Sequence, residues 1–472
     1  MTGKKQHLLK ICKCTTTIIP TICSFVDNHG KLHGMTTPTL SNPPPRTLEE
    51  LKNDDCLKKG ASIDGSSVGF TIVNQSDLKL KPDPSAIYEL PSVLPANTPL
   101  QRNELLNEQA LRRRVVVFCN LVGRDTGKPF GSDNRYMLQR TVDKYLTQNG
   151  YKMTFKIEPE FYLLDKQTKQ PIDQCKYATL YPSGRGQAFI MDLSLECRKL
   201  NIPVQVLHHE CGRAQYEIEM NHVDVLKQAD NLVIFKNLAH AVADRHGMDI
   251  NFMPKPFLKD AGSGQHIHMR MFRIDTNENV FGNYGKDAKQ DEISLEGQSY
   301  VAGILKHIKA ITAVANPTIN SYKRMVPGFE APTIACWGYR NRTALLRCPM
   351  FTTPNDAAME IRSPDLLSNP YLLFSILIAA GVTGIKDKLT APSPRVDDVF
   401  EYSEKELQEQ GLETLPENLL EAIKEFSKDE LMLEVFGEHN YEMYKKAKRA
   451  EWDKYVHHCI TDWEMERYSN FM

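Results

Sequence analysis

The segment KMTFKIEPEFYLL, residues 152–164, decides how the chain folds. Its residues alternate between apolar and polar up to Glu160, and Phe155, Ile157, Phe161 and Leu163 share one parity. That period of two predicts a β-strand with one face turned to a core. Glu158 and Glu160 share the other parity, so both carboxylates project from one surface. An E-x-E pair in a strand is usually a solvated face, but here apolar residues flank it on both sides. Burying two like charges there is costly unless a cation lies between them.

Working outward, 135–149 reads as helical, 188–200 as a helix, 204–208 as a short strand and 224–246 as a long amphipathic helix. The stretches 266–272 and 343–347 read as strands, and 404–426 and 431–455 as charged helices. Strands and helices do not alternate strictly, which predicts an α+β fold. Toward the N-terminus, SNPPPR at 41–46 reads as a loop, because three prolines lack donors. A second Pro-rich passage covers 81–99. The basic patch Arg112, Arg113 and Arg114 then leads into the apolar run 115–119. We place the domain boundary there, giving domains at 1–115 and 116–472.

Of the 472 residues, 41% are apolar and 25% charged, with a formal net charge of −1. So even a balance argues against a nucleic-acid or polybasic membrane partner. No apolar run reaches the roughly 18 residues that span a bilayer, and 18–22 is too short and polar for a secretory signal. The eleven cysteines are an odd, scattered set, which predicts reduced thiols and a cytoplasmic protein. Cys12 and Cys14 form a C-x-C pair, a weak metal signal.

Further polar groups recur in strand-like settings. HHE at 208–210 is followed by Glu217; it lacks the second histidine of H-E-x-x-H. GSGQHIH at 262–268 puts His266 and His268 on one strand face behind a glycine turn. MEIR at 359–362 does the same for Glu360 and Arg362. Ligands that are mostly carboxylate oxygen select Mg²⁺ or Mn²⁺ over zinc. Arg324, Arg342, Arg347 and Arg362 add planar forks suited to carboxylate and phosphate. Divalent ions with several arginines suit transfer of a γ-phosphoryl group. No G-x-x-x-x-G-K-[ST] occurs, which excludes a P-loop.

The strings EPEFYLLD (158–165), HHECGRAQYEIE (208–219), FMPKPFLKDAGSGQHIH (252–268), NPTINSYKRMVPGFEAP (316–332), NRTALLRCP (341–349), IRSPDLLSNPY (361–371) and DGSS (64–67) together resemble class I glutamine synthetase. The resemblance implies a small N-terminal β-grasp-like domain and a large catalytic domain with a curved antiparallel sheet flanked by helices. It implies a homo-oligomer of stacked six-membered rings with active sites between subunits.

Residue by residue, it implies that Glu160, Glu210 and Glu217 bind a first metal, and Glu158, His266 and Glu360 a second. Glu330 on a flap takes a proton from ammonium. Asp64 of a neighbouring subunit, beside Ser67, helps bind and deprotonate ammonium, and Tyr177 lies at the same site. Arg324 and Arg362, with Gly262 and Glu210, line the glutamate site; Arg342 and Arg347 stabilise phosphate, and His268 contacts nucleotide. The implied reaction joins ammonia to the γ-carboxylate of glutamate at the expense of ATP. Four departures stand out: Ala261 beside the glutamate site, Ala358 in place of an arginine, Arg270 in place of a small hydroxyl residue, and Phe400 in place of a tyrosine that some members modify. Two other readings remain open, a γ-glutamyl ligase for an organic amine and a non-catalytic ring-forming homologue.

Overall fold

The computed structural model describes residues 20–38, 48–71, 76–90, 114–180, 184–285, 292–326 and 331–469. Glu330, the 41–46 loop, Cys12, Cys14, Arg112 and Arg113 lie outside them.

The strand read from 152–164 forms as β6 (Tyr151–Asp165). Met153, Phe155, Ile157, Phe161 and Leu163 are all buried in the main core, while Glu158 and Glu160 take the opposite face. Phe155 meets the ring of Phe374 at 4.8 Å between centroids, edge to face, and Phe161 lies 6.3 Å from Phe235. Fully burying such a side chain contributes about 1.5–3 kcal/mol. Beyond Glu160 the run 161–164 is buried at every position, so both faces are covered there.

Around β6 stand β7 (Val204–His209), β8 (Gln215–Asp224), β9 (Met248–Asn251), β10 (Gln265–Arg273), β11 (Trp337–Tyr339), β12 (Leu346–Cys348) and β13 (Met359–Ile361). They form one eight-stranded sheet in the order β11-β12-β13-β10-β6-β8-β7, with β9 pairing β6 past the end of the β10 ladder. All pairings are antiparallel except β11 with β12, which run parallel. The strand expected at 343–347 is therefore shorter and shifted, to Leu346–Cys348.

The N-terminal sheet has five strands in the order β2-β1-β5-β4-β3. These are β1 (Pro20–Val26), β2 (Leu32–Pro38), β3 (Ala61–Asp64), β4 (Asp77–Leu90) and β5 (Arg114–Gly123). β1 and β5 are parallel, and the remaining pairs antiparallel. The expected boundary near residue 115 falls at the start of β5, which pairs with both β1 and β4. The two sheets are not separate bodies. Tyr88, Val116 and Phe118 belong to the same core cluster as Phe155. Arg135, 3% exposed, ties them further: it pairs with Asp83 of β4 at 2.8 Å and with Asp230 at 2.9 Å. Tyr371 also donates to Asp230, at 2.6 Å.

Behind the large sheet lie helices Val225–Arg245, Leu295–Ala315 and Pro370–Lys386. The last two cross closely because Gly303 and Gly384 leave room: a Cβ on Gly303 would stand 2.2 Å from the carbonyl oxygen of Ala380. The helix expected over 135–149 starts at Asn134 with Asp133 as its cap, then loosens into a π-turn at Val142–Leu146. The two long C-terminal helices are each broken. The first divides into Glu404–Glu409 and Leu419–Phe426 around Gly411 (φ +63°). The second divides into Glu430–Phe436 and Glu438–His458 at Gly437 (φ +74°). No helix among the described residues is long and apolar enough to cross a membrane. Among the described residues, cysteines 23, 119, 175, 197, 211, 336, 348 and 459 form no disulfide.

Candidate active site

Register brings the polar residues into one stripe across six strands. His268 stands opposite Glu360, His266 opposite Glu158, and Glu160 opposite Glu217. At either end, Arg347 stands opposite Glu360 and His208 opposite Glu217. Residues two apart on β6, β8 and β10 share a face, so local alternation selects the side and the ladders align the row.

At one end, Glu360 is completely buried between two guanidinium groups. Arg362 Nη1 donates to its Oε1 at 2.6 Å and Arg347 Nη1 to its Oε2 at 2.7 Å. Burial alone would raise the carboxyl, but His268, Arg362, His266 and Arg347 hold it down at about 2. Glu158 is likewise held far below the ordinary carboxylate range despite burial, by His268 and His266. His268 Nε2 lies 3.0 Å from Glu158 Oε1 and 3.9 Å from Glu360 Oε1. His266 Nδ1 lies 3.5 Å from Glu158 and 3.8 Å from Glu360. Burial and the Arg362 charge push the His266 imidazole down to about 4.

The other end is dominated by acids. Burial, then the charges of Glu217 and Glu210, push Glu160 up to about 8. Glu217 rises to about 7, again from burial first, although His208 Nε2 sits 3.1 Å from it. The same hydrogen bond raises His208 to about 9. Glu160 Oε2 accepts from Gly264 N at 2.9 Å and from Gln215 Nε2 at 3.3 Å. The glycines of the 262–264 turn serve packing: a Cβ on Gly264 would stand 2.6 Å from Arg324 Nη2, and one on Gly262 2.6 Å from Arg324 Cγ.

These groups suit a divalent ion. Ligand atoms of Glu158, Glu217 and His266 lie within 4.8 Å of one another, as do those of Glu158, His268 and Glu360. Carboxyls with pKa values near neutrality in a buried cluster mark missing positive charge, which a hard cation with oxygen ligands supplies.

The other expected residues fall at varied distances from this row. Glu210 joins it through charge, and its Oε2 accepts from Cys211 N at 3.0 Å. His268, expected at the nucleotide, also stands among the candidate metal ligands. Arg324 is buried and gives its Nη groups to backbone: Nη1 to Ser363 O at 2.6 Å and Nη2 to Arg362 O at 3.1 Å. Tyr177 is 54% exposed, its ring 5.4 Å from that of His208. The exposed Arg342 acts electrostatically on Tyr177. Asp64 and Ser67 lie at the end of β3, in the other sheet. Asp64 accepts from Ser67 Oγ at 2.6 Å and Ser66 Oγ at 2.6 Å, and these bonds lower it to about 2. Arg270 continues the β10 face beyond His268, with its Nη1 3.6 Å from Asp356.

In the sequence, His208 is read only as part of the HHE motif, and His208, Gln215, Lys156 and Glu219 are given no role. Extending the alternation by one position in each direction along β6 and β8 would have found the last three.

Residues 131–468 match the family described as glutamine synthetase, catalytic domain, and residues 21–99 match glutamine synthetase, beta-Grasp domain. Proteins named glutamine synthetase are similar along nearly the whole chain. That of Pyrococcus furiosus is 37% identical, over 94% of this chain and 95% of its own. That of Methanocaldococcus jannaschii is 36% identical, over 94% and 93%. A solved structure described as GmaS/ADP complex superimposes with a TM-score of 0.78 at 25% identity, covering 97% of each chain. Another, described as a novel glutamine synthase homolog, shares the fold at 22% identity and TM-score 0.76, covering 96% of this chain and 98% of its own. The N-terminal sheet is thus a β-grasp domain, and the chain is an enzyme of the glutamine synthetase family.

Proposed function

We propose that the protein joins ammonia to the γ-carboxylate of L-glutamate, consuming ATP and releasing glutamine, ADP and phosphate. The observation that carries this reading is the row of carboxylates and imidazoles across β13, β10, β6 and β8, flanked by arginines. The glutamate γ-carboxylate attacks the γ-phosphorus of ATP, giving γ-glutamyl phosphate, and ammonia then displaces phosphate. Glu158, Glu160, Glu210, Glu217, His266 and Glu360 would hold Mg²⁺ or Mn²⁺, which would supply positive charge at the phosphates.

Arg347 and Arg362 have buried Nε groups without a hydrogen-bond partner. We assign Arg347, with the exposed Arg342, to the phosphate, and Arg362, with Arg324 and Gly262, to glutamate. Hydrogen bonds from Ser66 and Ser67 lower Asp64 to about 2, so it is an anion at neutral pH. Its role is to hold ammonium, with Ser67 and Tyr177; the proton goes to Glu330. Because Asp64 stands in the N-terminal sheet, we assign it to the active site of a neighbouring subunit in a ring.

The test is phosphate release from ATP with glutamate and Mg²⁺ or Mn²⁺, comparing ammonium with a panel of small amines. Turnover with ammonium is expected. Turnover with an organic amine alone would instead make the protein a γ-glutamyl-amine ligase, and silence in every case a ring-forming homologue. Arg270 shares the face of His268, and we assign it to the nucleotide in place of the charge absent at Ala358. Arg270→Ser should weaken ATP binding at least tenfold in a nucleotide titration, whereas unchanged affinity removes Arg270 from the site.

A further inference from the structure

Lys156 precedes Glu158 by two residues and so stands on the same face of β6. Its side chain is 15% exposed, and its Nζ lies 2.9 Å from Glu158 Oε1. The same ammonium is in ion-pair contact with Glu219 of β8, whose side chain is 18% exposed. Lys156 is thus a compact positive charge set between two carboxylates at the edge of the acid row. Both of those carboxylates also belong to candidate ligand groups: Glu158 with Glu217 and His266, and Glu219 with His208 and Glu217. The reaction described above gives no task to Lys156 or Glu219.

We infer that Lys156 is a resident cation that limits how many divalent ions the face holds, its ammonium filling the space between Glu158 and Glu219 that a further ion would take. An ammonium is a point charge with three donors on a flexible stem, and two of them reach opposed carboxylates here. A further divalent ion would need the oxygens that face Lys156, Glu158 Oε1 and Glu219 Oε2, and is repelled by a fixed positive charge there. Glu158 Oε2, on the His266 side, serves the ion already assigned. The inference rests on the divalent-ion reading of the site and refines it.

Mn²⁺ binding without nucleotide, followed by the electron paramagnetic resonance of the free ion, tests it. The variants are Lys156→Met, Lys156→Arg and the double variant Lys156→Met with Glu219→Gln, each first matched to the wild type in oligomeric state. Lys156→Met should bind one Mn²⁺ per chain more than the wild type. Lys156→Arg keeps the charge and should leave the stoichiometry unchanged, and adding Glu219→Gln should remove the gained ion. Should the Met variant lose its native assembly, Lys156→Gln answers the same question. Superimposable isotherms for the wild type and the neutral variants would overturn the inference, as would a gained ion that survives loss of Glu219. A wild type that takes up no Mn²⁺ would overturn the metal reading itself.

Discussion

Glu360 carries its charge with no exposure to solvent, because two guanidinium groups bond to it and two imidazoles stand close by. Glu360→Ala therefore removes one anion and leaves two cations, the buried Arg362 and the half-buried Arg347, facing each other. Removing one partner of such a pair costs about 3–5 kcal/mol, so a marked fall in apparent melting temperature is expected together with loss of activity. A melting temperature within a degree of the wild type would show that solvent reaches Arg347 and Arg362. Asp173 gives a pH-dependent counterpart. It bonds to His209 Nε2 at 3.0 Å and accepts from Tyr216 Oη at 2.8 Å and Cys175 N at 3.1 Å. Against burial, these bonds lower its pKa from 3.8 to about 2. A depressed carboxylate contributes stability that is complete above 3.8 and is lost as pH falls toward 2. The gap in stability between wild type and Asp173→Asn should thus narrow across that window in acid-unfolding curves. A gap that stays constant would exclude Asp173 as a source of acid sensitivity.

Among elements, the crossing of Leu295–Ala315 with Pro370–Lys386 depends on the missing side chain at Gly303. Gly303→Ala puts a methyl group against Ala380 O and Gly384, and overpacking of this kind costs about 1–3 kcal/mol. Thermal unfolding of the variant measures it, and an unchanged transition would mean that the helices separate freely. Neither of these helices was evident from the alternation of residues. Helix 370–386 is buried on nearly all sides, so it has no polar face to mark a period. The strand at 152–164 was legible because one of its faces meets the core and the other carries charge. Its neighbours were not, because pairing β6 with β10 depends on contacts made roughly a hundred residues apart. The C-terminal helices were each read as one because the positive-φ breaks at Gly411 and Gly437 leave charged, helix-favouring residues on both sides. The site itself was legible chiefly through resemblance. Spacing alone marked paired groups on separate strands, and the ladders that align Glu360, His268, Glu158 and Glu217 are a tertiary result.

For the whole molecule, Asp64 and the acid row occupy different sheets, and Asp64's hydrogen bonds go to its own serines. If the site is completed between subunits, Asp64→Ala and Glu158→Gln chains that are each inactive should recover activity when denatured together and refolded. Random pairing in a ring restores roughly a quarter of the sites, and recovery of none would place Asp64 and Glu158 in one subunit's site.

The stripe across the large sheet also sets a schedule. Its first carboxylate, Glu158, is synthesised roughly 200 residues before Glu360, and translation proceeds at about 5–20 residues per second. For roughly ten to forty seconds the growing chain carries β6 without Glu360 and Arg362 to complete the stripe, and with its apolar side lacking the Pro370–Lys386 helix. During that wait the half-made sheet is a natural client for a chaperone, and a pause in translation before residue 360 would prolong its exposure.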